Sequence, residues 1–316
     1  MRTAGDVRRS ARLRDAVGTR LGLQFDEDRA DVLAAALARR AAACGESEDR
    51  YVARIESDAT REEIQALARE LTVGETYFFR HVQQLRALSE RVLPDLLSAR
   101  AQVGRLRLLS AGCASGEEAF TLRMMVAEHP AASRWDVDVV GLDVNEASIE
   151  SARAGQFSAW SLRETPADAR ERWFRRSGQG FVLDEALRGS VRLEPRNLVD
   201  DDPAFWGPGA FDVVFCRNVL MYMTPPAAGA IVGRLVRSLA PGGYLFLGHA
   251  ETLGASPPML ELCHTHETFY YRRREVDGAI TRAIPGSGPA PAVGDDPAAW
   301  RVAIERSIAH IDRLDG

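Results

Sequence analysis

From residue 105 onward short apolar β runs alternate with helical stretches, and few folds accommodate that rhythm. RLRLLSAG (105–112) is a β run closed by a glycine, and a helix follows from about Glu117 to Glu128. VDVVGLDV (137–144) is a second run, with Glu146 to Ala154 helical behind it. VRLEPRNL (191–198), FDVVFCRN (211–218), YLFLGH (244–249) and TFYYRRR (268–274) supply further strands, and Pro225 to Leu239 is a helix between two of them. Strands separated by helices pair in parallel through right-handed crossovers, which puts helices on both faces of one sheet. The expected class is therefore α/β, with a doubly wound, mostly parallel sheet. Residues 163–193 break the rhythm with a polar helix, a Gly178-Gln-Gly180 turn and short β-like pieces. A small antiparallel insert at about 174–194, on the edge of the sheet, is expected there.

The flanks have a different texture. A length of 316 residues suits about two domains, and residues 20–90 read as the first of them, all helical, including a connecting helix. Asp26 to Cys44 carries acids in its first turn, Arg39 and Arg40 near its end and Gly45 as a stop. Val32, Leu33, Ala36 and Leu37 form its core-facing stripe. A second helix follows Ser47 and a third follows Thr60. Residues 1–19 read as a basic, solvated arm, and 91–274 as the sheet-bearing domain. Residues 275–298, rich in Pro, Gly and Ala, read as a linker, and 299–316 as an amphipathic helix.

Composition removes several chemistries. All 40 basic residues are arginine, so a Schiff-base lysine and a phosphate-loop lysine are both excluded. A net charge of −5 argues against nucleic acid as a partner. Cys44, Cys113, Cys216 and Cys263 are far apart and form no C-x-x-C. Cys263, His264 and His266 lie on a strand without the three or four convergent ligands that a metal needs, so no metal is expected. With no apolar run of membrane length and no signal core, the expected setting is cytoplasmic, without membrane insertion.

The chemistry gathers at the carboxyl ends of the strands. Ser110-Ala-Gly-Cys-Ala-Ser-Gly-Glu-Glu118 joins the first strand to a helix, and Gly112 and Gly116 allow backbone to approach a ligand. It does not fit G-x-G-x-x-G, and Glu117 and Glu118 stand where phosphates would be repelled. A ligand without phosphates and with a positive centre, such as S-adenosylmethionine (SAM), suits the acids better. Asp143, 27 residues after Gly116 at the end of the second strand, can accept both hydroxyls of a ribose. Leu239-Ala-Pro-Gly-Gly-Tyr-Leu-Phe-Leu resembles the corresponding turn of class I SAM-dependent methyltransferases.

Longer motifs are more specific. Phe211-Asp-Val-Val-Phe-Cys-Arg-Asn-Val-Leu-Met-Tyr222, taken with Leu71-Thr-Val-Gly-Glu-Thr-Tyr-Phe-Phe-Arg80, closely resembles the CheR family, which methylates chemotaxis receptors. Ser110–Glu118 and Leu247-Gly-His-Ala-Glu251 match two further family motifs, and the resemblance covers about residues 20 to 274. It implies a class I methyltransferase fold with an antiparallel last strand, SAM as cofactor and S-adenosylhomocysteine as product. By position it implies that Thr76 and Arg80 reach into the site from the inter-domain segment, with Gly112 in the glycine turn. Glu118 would hold the methionine amino end and Asp143 the ribose, while Asn197 and Leu198 flank the adenine. Arg217 and Asn218 would line the pocket beside the sulfonium, and Tyr222 and Arg80 would face the substrate carboxylate. Arg39 and Arg40 resemble the basic face that grips acidic receptor helices. The partner implied is the cytoplasmic signalling domain of a methyl-accepting receptor, met by a monomer. Three positions depart from the pattern: Gly74 stands for an asparagine, Ala114 for a serine, and Ala250 for a serine.

A guanidinium and a tyrosine hydroxyl suit a carboxylate acceptor, and the leading expectation is a receptor glutamate O-methyltransferase. The alternatives are a SAM-binding relative that docks without catalysis, and a small-molecule methyltransferase. The second is disfavoured by the N-terminal helices and the β insert, which a small substrate does not need.

Overall fold

The computed structural model describes residues 4–275 apart from 27, 58, 133 and 254–257. The expected linker 275–298, beyond its first residue, and the expected helix 299–316 lie outside the described residues.

Four helices open the chain: α1 (Ala4–Leu21), α2 (Ala30–Ala43), α3 (Glu48–Ser57) and α4 (Arg61–Leu71). The solvated arm expected over 1–19 is corrected by α1. Its arginines mask a stripe at helical spacing, Leu13, Val17 and Leu21, that is buried with Leu33 and Leu37 of α2, Val52 and Ile55 of α3, and Leu67 and Leu71 of α4. The arginines face outward and pair with neighbouring acids, Arg9 with Glu48 and Asp49, Arg12 with Glu56. The second helix starts at Ala30 instead of Asp26, because the Asp26 carboxylate accepts the Arg29 N–H at 3.1 Å and Asp28 and Arg29 form a turn ahead of the helix.

A helical stretch then runs from α5 (Val82–Ala87) through a π turn (Leu88–Val92) to α6 (Leu93–Ala99). The sheet elements follow: β1 (Arg105–Ala111), α7 (Glu117–Glu128), β2 (Asp136–Asp143), α8 (Glu146–Ala154), β3 (Gln156–Phe157), α9 (Ala167–Trp173), β4 (Phe174–Ser177), β5 (Gly180–Leu183), α10 (Glu185–Gly189), β6 (Val191–Pro195), β7 (Phe211–Cys216), α11 (Pro225–Ser238), β8 (Leu239–Leu247), β9 (Leu260–Thr265) and β10 (Thr268–Arg273). The main sheet has the order β6-β2-β1-β7-β8-β10-β9; its first five strands are parallel, and β10 runs antiparallel to both neighbours. β7 is buried at every residue, as a strand covered on both faces must be. One face packs on α5, α6, α7 and the small sheet, the other on α11 and Trp206.

The small sheet has the order β3-β5-β4. The insert expected over about 174–194 is thereby corrected at both ends. It recruits Gln156–Phe157, too short to be read from a period of two, and it stops at Leu183. Val191–Pro195 instead pairs in parallel with β2, because Val191 and Leu193 alternate inward onto the main core.

The N-terminal helices are fastened to the sheet's carboxyl ends by a short bridge, Leu23 to Met223. Gln24 N–H donates to the Tyr222 carbonyl and Thr224 N–H to the Gly22 carbonyl, both at 2.7 Å. Gly22 has φ +73°, and a Cβ there would meet Val199 Cγ1 at 2.5 Å, so only glycine lets the chain turn this close to the sheet.

Candidate functional site

One cleft, about 950 Å³ including the part open to solvent, lies between the N-terminal helices and the carboxyl ends of β1, β2, β6 and β7. Thr76, Arg80, Gly112, Glu118, Asp143, Asn197, Leu198, Arg217, Asn218 and Tyr222 all line it. Residues 146 positions apart in the chain are thus brought to one wall.

The floor is the turn after β1. Gly112 has φ +81°, and a Cβ would lie 2.3 Å from Val219 Cγ2, so backbone, not side chain, forms this surface. The Gly112 and Cys113 N–H groups both donate to the Leu142 carbonyl at 2.8 Å. Ala114 N–H donates to Asp143 Oδ2 at 2.9 Å and Asn145 N–H to Oδ1 at 2.8 Å, so the turn and the end of β2 are stitched together. Burial pushes the Asp143 carboxyl up, and these two donors oppose the shift. Each Asp143 oxygen keeps acceptor capacity for a hydroxyl. Asn145 caps α8 through Oδ1 and donates from Nδ2 to Thr72 Oγ1 at 3.0 Å, tying the segment after α4 to the site.

The two adjacent acids of the motif part company. Glu118 faces the cleft, whereas Glu117 is buried and accepts from Ser115 Oγ at 2.7 Å. Burial raises the Glu117 carboxyl above its ordinary range. The expectation that both acids front the ligand is corrected accordingly: adjacent positions on a helix point about 100° apart.

Arg217 is the centre of a charged network. Its Nε donates to Glu118 Oε2 at 2.6 Å, and its Nη1 to the Arg80 carbonyl at 2.8 Å and Gln84 Oε1 at 3.1 Å. Ser110 Oγ donates to Glu118 Oε1 at 2.6 Å, and Gln84 Nε2 donates to the Leu247 carbonyl at 2.7 Å. Charge-assisted bonds of this kind fix the pocket wall before any ligand arrives. Cys113 and Cys216, next to site residues, are fully buried, and burial pushes both thiols up, so neither offers a thiolate.

The segment Thr72–His81 is held by its aromatic anchor. Phe78 is fully buried and meets Phe157 and Phe174 edge-on at 4.8 and 4.9 Å. Its N–H donates to the Ser161 carbonyl, and Phe79 N–H donates to Thr121 Oγ1. Arg80 then reaches the cleft, giving Nη1 to the Glu75 carbonyl at 3.0 Å while its buried Nε has no partner. Asn218, at φ +58°, lines the cleft with a buried Oδ1 that likewise has none. A buried acceptor without a donor is costly, and a ligand donor would satisfy it. These orphaned atoms, the backbone floor and the two acids fit SAM: a ribose at Asp143, an ammonium at Glu118, and no phosphate to repel.

Asn197 and Leu198 line the same cleft, but Asn197 also works structurally, donating from Nδ2 to the Arg20 carbonyl at the end of α1 (2.9 Å). Arg39 and Arg40 lie elsewhere. Arg39 pairs with Glu70, and Arg40 forks onto both oxygens of Glu63 at 2.9 Å, where Tyr51 Oη also donates at 2.7 Å. Burial alone would raise Glu63, and Arg40 and Tyr51 outweigh it and hold the carboxyl below its usual range. The docking contact expected of Arg40 is therefore already spent on Glu63.

Glu251 and Arg29 are among the residues at the site that the sequence reading did not assign. Glu251, nearly buried, accepts the N–H groups of Asn218 (2.7 Å), Gly248 (2.8 Å) and Met221 (3.1 Å). It fixes the turn that presents Asn218 and Tyr222; its place in the Leu247–Glu251 motif was the signal. Arg29 also lines the cleft, and the turn before α2 offered no local pattern that could have marked it.

A model of "CheR methyltransferase, SAM binding domain" matches residues 74–269. Chemotaxis protein methyltransferase 2 of Vibrio cholerae is 36% identical over 206 residues, covering 64% of this chain and 70% of that protein. Chemotaxis protein methyltransferase 1 of Pseudomonas aeruginosa is 32% identical over 210 residues, covering 65% and 75%. The probable biofilm formation methyltransferase WspC of Pseudomonas putida is 33% identical over 272 residues, covering 84% of this chain and 62% of that one.

Proposed function

The chain belongs to the CheR methyltransferase family, and from that premise we propose that it methylates glutamate side chains on the cytoplasmic signalling domain of a chemotaxis-type receptor. The fold is that of the class I SAM-dependent methyltransferases, with a SAM-binding domain. The products are a glutamyl methyl ester and S-adenosylhomocysteine. The observation that carries the reading is the convergence of all ten implied pocket residues on one cleft.

SAM, when bound, supplies an electrophilic methyl on a sulfonium, which a carboxylate oxygen takes in line as the carbon–sulfur bond breaks and its electron pair returns to sulfur. A glutamate acceptor is ionised at neutral pH, its ordinary pKa being about 4.3, so no residue here has to remove a proton. The protein's task is alignment and desolvation. Glu118 would receive the ammonium end of the cofactor, with Arg217 orienting the acid. Asp143 accepts from the ribose, Thr76 and Arg217 complete the methionine side, and Asn197 and Leu198 flank the base. Asn218 Oδ1 offers its free acceptor near the reacting centre. Arg80 and the Tyr222 hydroxyl face the acceptor carboxylate and orient it without neutralising the attacking oxygen.

The test incubates the protein with labelled SAM and the signalling domains of receptors encoded beside its gene. Base-labile label on the receptor is expected, and about 10-fold or greater loss with Arg80→Ala and with Tyr222→Phe while SAM still binds. Label that resists mild base, or binding without transfer, would count against the reading. A receptor serving biofilm formation is a second candidate acceptor, favoured by the 84% of this chain matched by a relative of that name.

A further inference from the structure

Three guanidinium groups line the cleft, and one of them, Arg217, is paired with an acid. Arg217 gives Nε to Glu118 and Nη1 to Gln84 and the Arg80 carbonyl. Arg80 gives Nη1 to Glu75 and lies 5.6 Å from the Tyr77 ring. Arg29, like Arg80, has no acid partner among the described residues, and two rings hold it. Its guanidinium carbon sits 4.5 Å from the centroid of Phe25 and 5.6 Å from that of Tyr222. Its side chain's one hydrogen bond is a long contact of 3.5 Å from Nη2 to the Leu71 carbonyl. Among the described residues no carboxylate pairs with it, whereas Arg39 and Arg40, on the helix it precedes, both have acid partners.

The surroundings give this freedom a purpose. Phe25 is 2% exposed, so the ring beneath Arg29 is fixed in the core of the N-terminal helices. A guanidinium stacked on aromatic faces has its plane set while its N–H edge stays open. Arg29 and Tyr222 are neighbours in a cleft whose acids Glu75, Glu118 and Asp143 would repel an incoming anion. An acceptor that arrives as a carboxylate requires cations with open N–H groups, and Arg29 offers them on the side of the cleft facing away from the sheet's own Arg217.

We infer that Arg29 receives the carboxylate of the acceptor glutamate, joining Arg80 and Tyr222, so that the N-terminal helices supply part of the reaction centre as well as its wall. The inference rests on the glutamate reading above and deepens it. The attacking oxygen stays free because one guanidinium edge engages the other carboxylate oxygen, and the methyl transfer itself is unchanged.

Arg29→Gln, Arg29→Lys and Arg29→Gly are compared with the wild type. SAM affinity is measured by calorimetry, and kcat and KM by label transfer to the receptor signalling domain. Expected are a SAM Kd within about two-fold of wild type in all three, a kcat/KM about 10- to 100-fold lower in Arg29→Gln, and an intermediate value in Arg29→Lys, which keeps the charge but not the fork. Millimolar guanidinium is expected to restore part of the turnover of Arg29→Gly, which a scaffolding role would not allow. Wild-type kcat/KM in Arg29→Gln overturns the inference, as does a SAM Kd that rises in step with the loss of transfer, or an Arg29→Gly that guanidinium leaves unrescued. In each of these the wild type still labels its receptor, so the glutamate reading survives. A wild type that places no base-labile label on any receptor sinks that reading first and Arg29's role with it.

Discussion

β7 carries a charged pair at each end, and the two are built in opposite senses. At its start Asp212, fully buried, accepts the Arg107 N–H at 2.8 Å and pairs with Arg100 Nη2 at 3.0 Å and Arg107 Nε at 3.6 Å. Just past its end Arg217 is the buried member, and Glu118 reaches it from the cleft. Both arrangements remove a charge from water and must return that cost through pairing. At the start, half-exposed arginine stems cover a buried acid and none of the three residues lines the cleft. At the end, a buried arginine steadies an acid that faces open space. Burial of charge therefore does not mark function by itself; what marks it is which partner is left facing a ligand.

The sharpest way to break this comparison is to neutralise each acid in turn. Glu118→Gln leaves Arg217 without its anion and removes the acceptor proposed above for the cofactor's ammonium. Methyl transfer is expected to fall by about 100-fold or more, with a raised SAM Kd, even at temperatures where the protein is fully folded. Asp212→Asn is expected to cost about 2–4 kcal/mol in denaturant unfolding, while transfer per folded molecule stays within about two-fold of wild type. Should Asp212→Asn impair transfer as Glu118→Gln does, the two ends would not differ in kind.

A smaller effect separates the ends by pH. His81 and His249 stack at 4.5 Å beside Arg217. Burial first, then the charge of Arg217, lowers both imidazoles, His81 to about 4. The unfolded chain takes protons at about pH 6.5 that the folded one refuses until about pH 4. Stability from this pair is therefore intact above about pH 6.5 and is lost as the pH falls toward 4. His81 sits at φ +63°, which asparagine tolerates, so His81→Asn removes the titration without a backbone penalty. Thermal midpoints measured from pH 7.5 to 4.5 are expected to decline less steeply in the variant; parallel curves would refute the assignment.

The sheet was legible because each of its runs announces itself locally: an apolar stretch, a turn, then a helical period. Gly112, Glu118 and Asp143 were legible from the turns and strand ends themselves, whereas Asn197, Leu198, Arg217, Asn218 and Tyr222 came from the resemblance to the family's motifs. What escaped was built by contacts that no local window contains. The stripe of α1 is only three residues, Leu13, Val17 and Leu21, among many arginines, and it becomes a core face once α2, α3 and α4 are laid against it. Arg29 enters the cleft because Leu23 bridges to Met223. Glu251 reaches three N–H groups that span Asn218 to Gly248. The divergence of Glu117 from Glu118 was visible in principle, since a helix start turns neighbouring residues apart.

The bridge between Leu23 and Met223 also sets an order of events. Its two halves are 200 residues apart, so the first leaves the ribosome long before the second exists. Contacts of such separation close late, after local elements have formed. The cleft is thus the last feature the chain completes, and a nucleoside that touches both sides adds its binding free energy to that final closure. Occupancy and completion of the fold become one equilibrium, and ligand concentration sets how long the segment from Gly22 to Asp26 stays within reach of a protease.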